Sequence, residues 1–143
     1  MKHSNHGWNK SFFQWITKVK IAKNQYKHLV TKLEYYKSQL TSLKGTSYDQ
    51  SPSSSSNIFQ DKSFYWLSKI EETESEIQKV NQLMIEFNAF VSTLNEQEQK
   101  IMQDVIMDGY QASLIAKEVD ISRTRLYDIK NSIIRKWMIN HLN

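Results

Sequence analysis

The sequence predicts an all-α protein: a long antiparallel helical hairpin of coiled-coil type, followed by a C-terminal helix-turn-helix. Three observations carry this expectation. Apolar residues recur in alternating steps of three and four along two long stretches, the spacing of a helix that packs along one stripe. Turn-forming residues are scarce, with three Gly and one Pro in 143 residues, so the helices must be long. Near the C-terminus the chain reverses through Asp120 and Ser122, residue types suited to a left-handed turn and to capping a new helix.

Residues 1–11 read as a polar arm. Its His3 and His6, even with His28 and His141, make no set of metal ligands, so neither a metal nor another cofactor is expected. Ser11 and Gln14 form a capping-box pattern that would open the first long helix at residue 12. Its seam is Phe12, Trp15, Val19, Ala22, Tyr26, Leu29, Leu33, Tyr36, Leu40 and Leu43, and Gly45 would close it as a C-cap. The stretch 45–60, with Pro52 and a run of Ser, reads as a linker. Asp61 would cap the second long helix. Its seam is Trp66, Ile70, Thr73, Ile77, Val80, Met84, Phe87, Val91 and Leu94, in which only Thr73 is polar. The hairpin thus spans 12–93.

Charge supports pairing these two helices with each other. Residues 1–44 hold nine Lys against Glu34 alone, a net of +8, whereas residues 45–93 carry a net of −4. A basic and an acidic helix attract, and like charges at flanking positions disfavour two copies of either, a parallel homodimer through one of these helices being the alternative. Residues 94–143 balance their charges and form the helix-turn-helix domain. Asn95 with Glu98 gives a second capping box and a helix over 96–107, which Asp108-Gly109 ends. Then Ile115, Ala116, Val119 and Ile121 are apolar where two crossing helices would touch. Ser122 would cap a helix from Arg123 to about His141.

A helical wheel of that last helix puts Leu126, Ile129, Ile133 and Trp137 on a core face, with Thr124, Asp128, Asn131 and Arg135 opposite. Tyr127 lies to one side, and Arg123 and Arg125 flank the first turn. From Ser122 to Lys136 there are five cations and one anion. A cationic, polar face backed by an apolar one suits the major groove of DNA, where Arg and Lys neutralise phosphates and short polar side chains read base edges. The expected DNA-binding residues are Arg123, Thr124, Arg125, Tyr127, Asp128, Lys130, Asn131 and Arg135.

Leu94, Glu98, Ile101, Gly109, Ile115-Ala116, Val119, Ile121-Ser122-Arg123, Arg125-Leu126 and Ile129 resemble region 4 of bacterial sigma factors. The chain departs from that family at Gln111, where a Ser or Thr cap is usual, at Asp120, where Gly is usual, and at Tyr127-Asp128, where a more basic pair is usual. No sigma region 2 is visible. A helical first half followed by a lone helix-turn-helix resembles small phage transcriptional regulators of the ArpU and RinA type. That resemblance implies a sequence-specific regulator of transcription, a phage or prophage late-gene activator in the cytoplasm of a bacterial host. Its partners would be double-stranded DNA, host RNA polymerase, and further copies of itself through the hairpin. Two other functions fit the same layout: a small-terminase-like DNA-packaging subunit, and a helical adaptor that binds no DNA.

An enzyme is not expected. The sequence has no G-x-x-x-x-G-K-[ST], no G-x-G-x-x-G and no H-E-x-x-H, and no Ser, His and acidic group suggests a triad. No apolar run approaches the roughly 20 residues of a membrane span, and Met1 to Lys10 lacks the apolar stretch of a signal peptide. The absence of Cys fits a reducing compartment.

Overall fold

The computed structural model describes the backbone of residues 2–46 and 52–142, and the side chains of residues 9–43 and 60–141. Among these residues the fold is all-α, with five helices and no strand. They are α1 (Lys2–Thr46), α2 (Pro52–Ser92), α3 (Glu96–Ile101), α4 (Ala112–Glu118) and α5 (Arg123–Leu142). A π-helical turn, Met102–Met107, continues α3 without a break. Among the described residues, no helix is long and apolar enough to cross a membrane.

Both long helices start earlier than their seams. The backbone of α1 is helical from Lys2, so the expected arm over 1–11 is helical from that point and Ser11 caps nothing. A seam marks where a helix packs, whereas backbone hydrogen bonding continues until a residue breaks it. Gly7 weakens that stretch most, by about 1 kcal/mol. The helix also runs past Gly45 to Thr46. At the other side of the expected linker, α2 begins at Pro52, which suits a first helical position because it has no N–H to leave unpaired. The four Ser that follow are only about 0.5 kcal/mol each below Ala in helix propensity. Asp61 therefore lies inside α2 and is not its cap. Of the Ser-rich stretch, residues 47–51 lie outside the described residues.

The chain divides into two compact units. One is Ala22–Leu83; the other joins Met1–Ile21 to Met84–Asn143. The sequence's own boundary at residues 93 and 94 follows the change in charge and hydrophobic pattern, not these contacts.

In the unit Ala22–Leu83, the seams of α1 and α2 meet in a coiled-coil-like manner. Ala22, Leu29, Ile70 and Val80 are buried. The rings of Tyr36 and Trp66 lie 5.8 Å apart. Thr73 is buried as well, its hydroxyl donating to the Lys69 carbonyl at 2.8 Å, so the one polar seam position is satisfied. Tyr26 departs from the seam: it is 43% exposed. A Tyr side chain has a polar end that can stay in water, so its place in the periodicity did not oblige it to be buried.

In the other unit a single core draws on every helix. Phe12, Trp15, Ile16 and Val19 of α1 are buried, as are Phe87 and Phe90 of α2, Ile101 of α3, Ile115 and Ala116 of α4, and Leu126, Ile133 and Trp137 of α5. Trp15 lies at its centre, with ring centroids 5.8 Å from Phe87, 5.8 Å from Phe90 and 5.5 Å from Trp137. His141 stacks on Trp137 at 4.3 Å. The indole N–H groups of Trp15 and Trp137 are buried and meet no acceptor among the described residues.

The ends of the short helices are chemically specified. The Asn95 carboxamide oxygen accepts from the Glu98 N–H at 2.8 Å, and Glu98 Oε1 accepts from the Asn95 N–H at 3.0 Å, completing the expected capping box. Gln99 donates to the carbonyls of Val91 and Leu94, at 3.1 and 3.0 Å, and so covers the end of α2. Gly109, at φ 76°, turns the chain after the π-helical segment. Lys100 lies 2.8 Å from Asp104 and 3.2 Å from Glu118, joining the π-helical turn to α4; hydrogen bonds to those carboxylates hold its ammonium above the usual lysine value.

Candidate nucleic-acid interface

The candidate interface is built by the turn between α4 and α5. Asp120 takes a left-handed backbone at φ 58°. Its N–H donates to the Lys117 carbonyl at 3.2 Å, and the Ile121 N–H donates to the Ala116 carbonyl at 2.9 Å. This pair of bonds is the usual glycine-type helix ending, here made by Asp, whose short side chain tolerates that conformation better than most. Ser122 then caps α5, its hydroxyl oxygen accepting from the Arg125 N–H at 3.0 Å. Gln111 stands at the N-cap of α4, and its side chain makes no capping hydrogen bond. The buried Ile115 and Ala116 face the core while Leu126 and Ile129 do so from α5, which fixes the rotation of α5 about its axis.

That rotation decides what α5 exposes. Arg123, Thr124, Arg125, Tyr127, Asp128, Asn131 and Arg135 are exposed, and Lys130 is half-buried. At about 100° per residue, Arg123 and Tyr127 form one flank and Arg125 the other. Thr124 and Asn131 lie between them, with Asp128 and Arg135 turned toward the Arg125 side. On the first flank the Arg123 guanidinium lies 5.9 Å from the Tyr127 ring centroid. On the second, Arg125, Asp128 and Arg135 line a cleft of about 320 Å³ together with Asn95, Gln97, Glu98, Ser132 and Lys136. Lys130 stands apart from the others, its ammonium 5.4 Å from the ring centroid of Phe13.

The cations do not all have the same freedom. Among the described residues, Arg123, Arg125, Arg135 and Asp128 take part in no ion pair. Lys136 is committed. Its ammonium donates to both oxygens of Glu98, at 2.7 and 2.8 Å. Burial alone would push the Glu98 carboxyl up. Hydrogen bonds from Lys136, from the Asn95 amide and from Ser132, with the charge of Lys136, outweigh it and hold the group below the ordinary carboxylate value. Counting charges along α5 thus overstates what the helix presents outward, because one of its five cations is tied to α3. Among the described residues, no three His, Asp or Glu side chains converge as metal ligands would.

Sequence reasoning did not find the α3 side of the cleft. Asn95 and Glu98 were legible as a capping box, a purely local role. Nothing local says that the same carboxylate would also anchor Lys136, or that Gln97 and Ser132 would share its cleft.

Comparison with known proteins finds no matching family model, no similar curated protein and no similar solved structure.

Proposed function

We propose that α4, the Asp120–Ser122 turn and α5 form a helix-turn-helix that binds double-stranded DNA with α5 in the major groove. The observation that carries this reading is the arrangement on α5. Arg123 and Arg125 stand on opposite flanks, exposed and, among the described residues, free of ion pairs, with Thr124 and Asn131 between them. A helix in the groove runs between two phosphate backbones, so cations belong on its flanks and base-reading groups along its middle. The left-handed turn and the Ser122 cap support the same reading, because they end α4 and open α5 within four residues and leave the first residues of α5 exposed.

On this reading the protein is a sequence-specific transcriptional regulator of the phage late-gene type, acting in a bacterial host cell. The resemblance of its last fifty residues to sigma region 4 supports the class. α1 and α2 form an antiparallel hairpin, supported by the ring contact of Tyr36 with Trp66 and by the opposite charges of the two helices. The hairpin joins copies of the chain or engages RNA polymerase.

Selection of bound sites from a random duplex library by the full chain tests this directly. A single enriched motif, symmetric if the protein binds as a dimer, is the expected result. No retained duplex would reject DNA binding and leave a helical adaptor. A closed ring by solution scattering, with duplex retained, would instead favour a DNA-packaging subunit.

A further inference from the structure

Asp128 is out of place on a surface meant for DNA. It is the one acidic residue from Arg123 to Asn143. It is exposed, and among the described residues it forms no ion pair, although Arg125 stands three positions before it on the same helix. A carboxylate carried toward a duplex enters a strongly negative potential and gives up its hydration. It is tolerated there only where a hydrogen-bond donor receives it.

We infer that Asp128 is a base-reading residue that selects cytosine, its carboxylate accepting from the N4 amino group. This rests on the major-groove reading of α5. The groove offers two kinds of donor, the amino groups of cytosine and adenine. Guanine presents the acceptors N7 and O6, and thymine presents the acceptor O4 beside its methyl group, so both repel a carboxylate. Adenine places the acceptor N7 beside its amino group, and a group with two acceptor oxygens cannot match that pair. Cytosine has only a C–H beside its amino group on its own ring. In the duplex the cytosine amino group has one neighbouring acceptor, O6 of the paired guanine. The adenine amino group stands between two, its own N7 and O4 of the paired thymine, so cytosine opposes a carboxylate least.

The position in the helix agrees. Asp128 lies in the second turn of α5, one turn after Thr124, and helices of this kind meet base edges with their N-terminal part. Arg125 and Arg135 line the same cleft as Asp128, so cations accompany the carboxylate on that side of the helix. Asp128 also weakens binding wherever cytosine is absent, and a discriminating site gains from such penalties as much as from attraction.

The test is site selection with the full-length wild type, Asp128→Asn and Asp128→Ala, followed by titration on the enriched and on unrelated duplexes. The wild type is expected to enrich cytosine at one position. Asp128→Asn moves that preference to adenine, because a carboxamide offers the donor and acceptor that match N7 and the N6 amino group. Asp128→Ala levels the position, lowers discrimination there by roughly 5- to 150-fold, and binds unrelated duplexes more tightly. Circular dichroism checks that the helix content of both variants is unchanged. If all three proteins enrich the same motif, the cytosine assignment falls and DNA binding stands. Duplex binding without any base preference likewise overturns the cytosine assignment alone. If the wild type retains no duplex, both fall.

Discussion

Lys136 grips Glu98 by both carboxylate oxygens, at 2.7 and 2.8 Å, across 38 positions of the chain. The Glu98 side chain is 6% exposed and that of Lys136 is 44% exposed, so the pair is half in water. Removing Lys136 leaves a buried carboxylate with two weaker donors. Lys136→Met is expected to lose about 1–3 kcal/mol at neutral pH, less than the roughly 3–5 kcal/mol of a fully buried pair, because solvent already screens the ammonium. Urea unfolding measures it. A loss near zero would mean that water replaces Lys136 without penalty.

The same pair has a pH signature. The folded Glu98 carboxyl titrates below its ordinary value of 4.5. Its stabilisation is therefore complete above that ordinary value and is lost as pH falls through the lower folded value. Stability measured from pH 6 down to 3 should fall more steeply for the wild type than for Glu98→Gln, which has no carboxylate to protonate. Parallel acid limbs would show that other carboxylates dominate.

Asp120 offers a test with the opposite sign. Its φ of 58° suits Gly better than any other residue. Asp120→Gly is expected to raise stability by about 0.5–1 kcal/mol, or Tm by about 2–4 °C, and Asp120→Val to lower it by at least as much. Thermal unfolding of the two variants decides it, and equal shifts in one direction would contradict the strain argument.

The two seams invite a comparison within one pattern. Phe87 and Tyr26 both occupy seam positions, but Phe87 is 4% exposed and Tyr26 43%. Phe87→Ala should lose about 3–5 kcal/mol and Tyr26→Ala less than about 0.5 kcal/mol. Denaturant unfolding that gives similar losses at both sites would refute the burial difference.

On the DNA reading, the flanking arginines should behave alike and differ from Lys130. Arg123→Ala and Arg125→Ala should each weaken binding on specific and scrambled duplexes and reduce the salt slope by about one unit. Lys130→Met should change the slope less, since its ammonium lies over Phe13. Titrations at several salt concentrations separate the cases. Full slopes in both arginine variants would remove the flanks from the interface.

What the sequence revealed was local. The capping box at Asn95, the left-handed Asp120 and the Ser122 cap each depend on residues within one turn of each other, and each could be read from residue type and spacing. The seams were legible because burial on a helix repeats. Where prediction went astray, repetition or locality was missing. Lys2 and Pro52 start their helices with no apolar period to announce them. Trp15 meets Trp137, and Glu98 meets Lys136, through folding alone. For the α5 surface, the wheel gave the right exposed residues and could not tell that Lys136 was already engaged.

Trp15 and Trp137 also make the protein its own optical gauge. Two indole rings 5.5 Å apart, tilted by 37°, are close enough for their electronic transitions to couple. The near-ultraviolet circular dichroism of the protein should therefore carry a signal that belongs to the pair and to neither ring alone. One ring is carried by the first third of α1 and the other by α5, so any ligand that parts them would erase the signal, with no label attached.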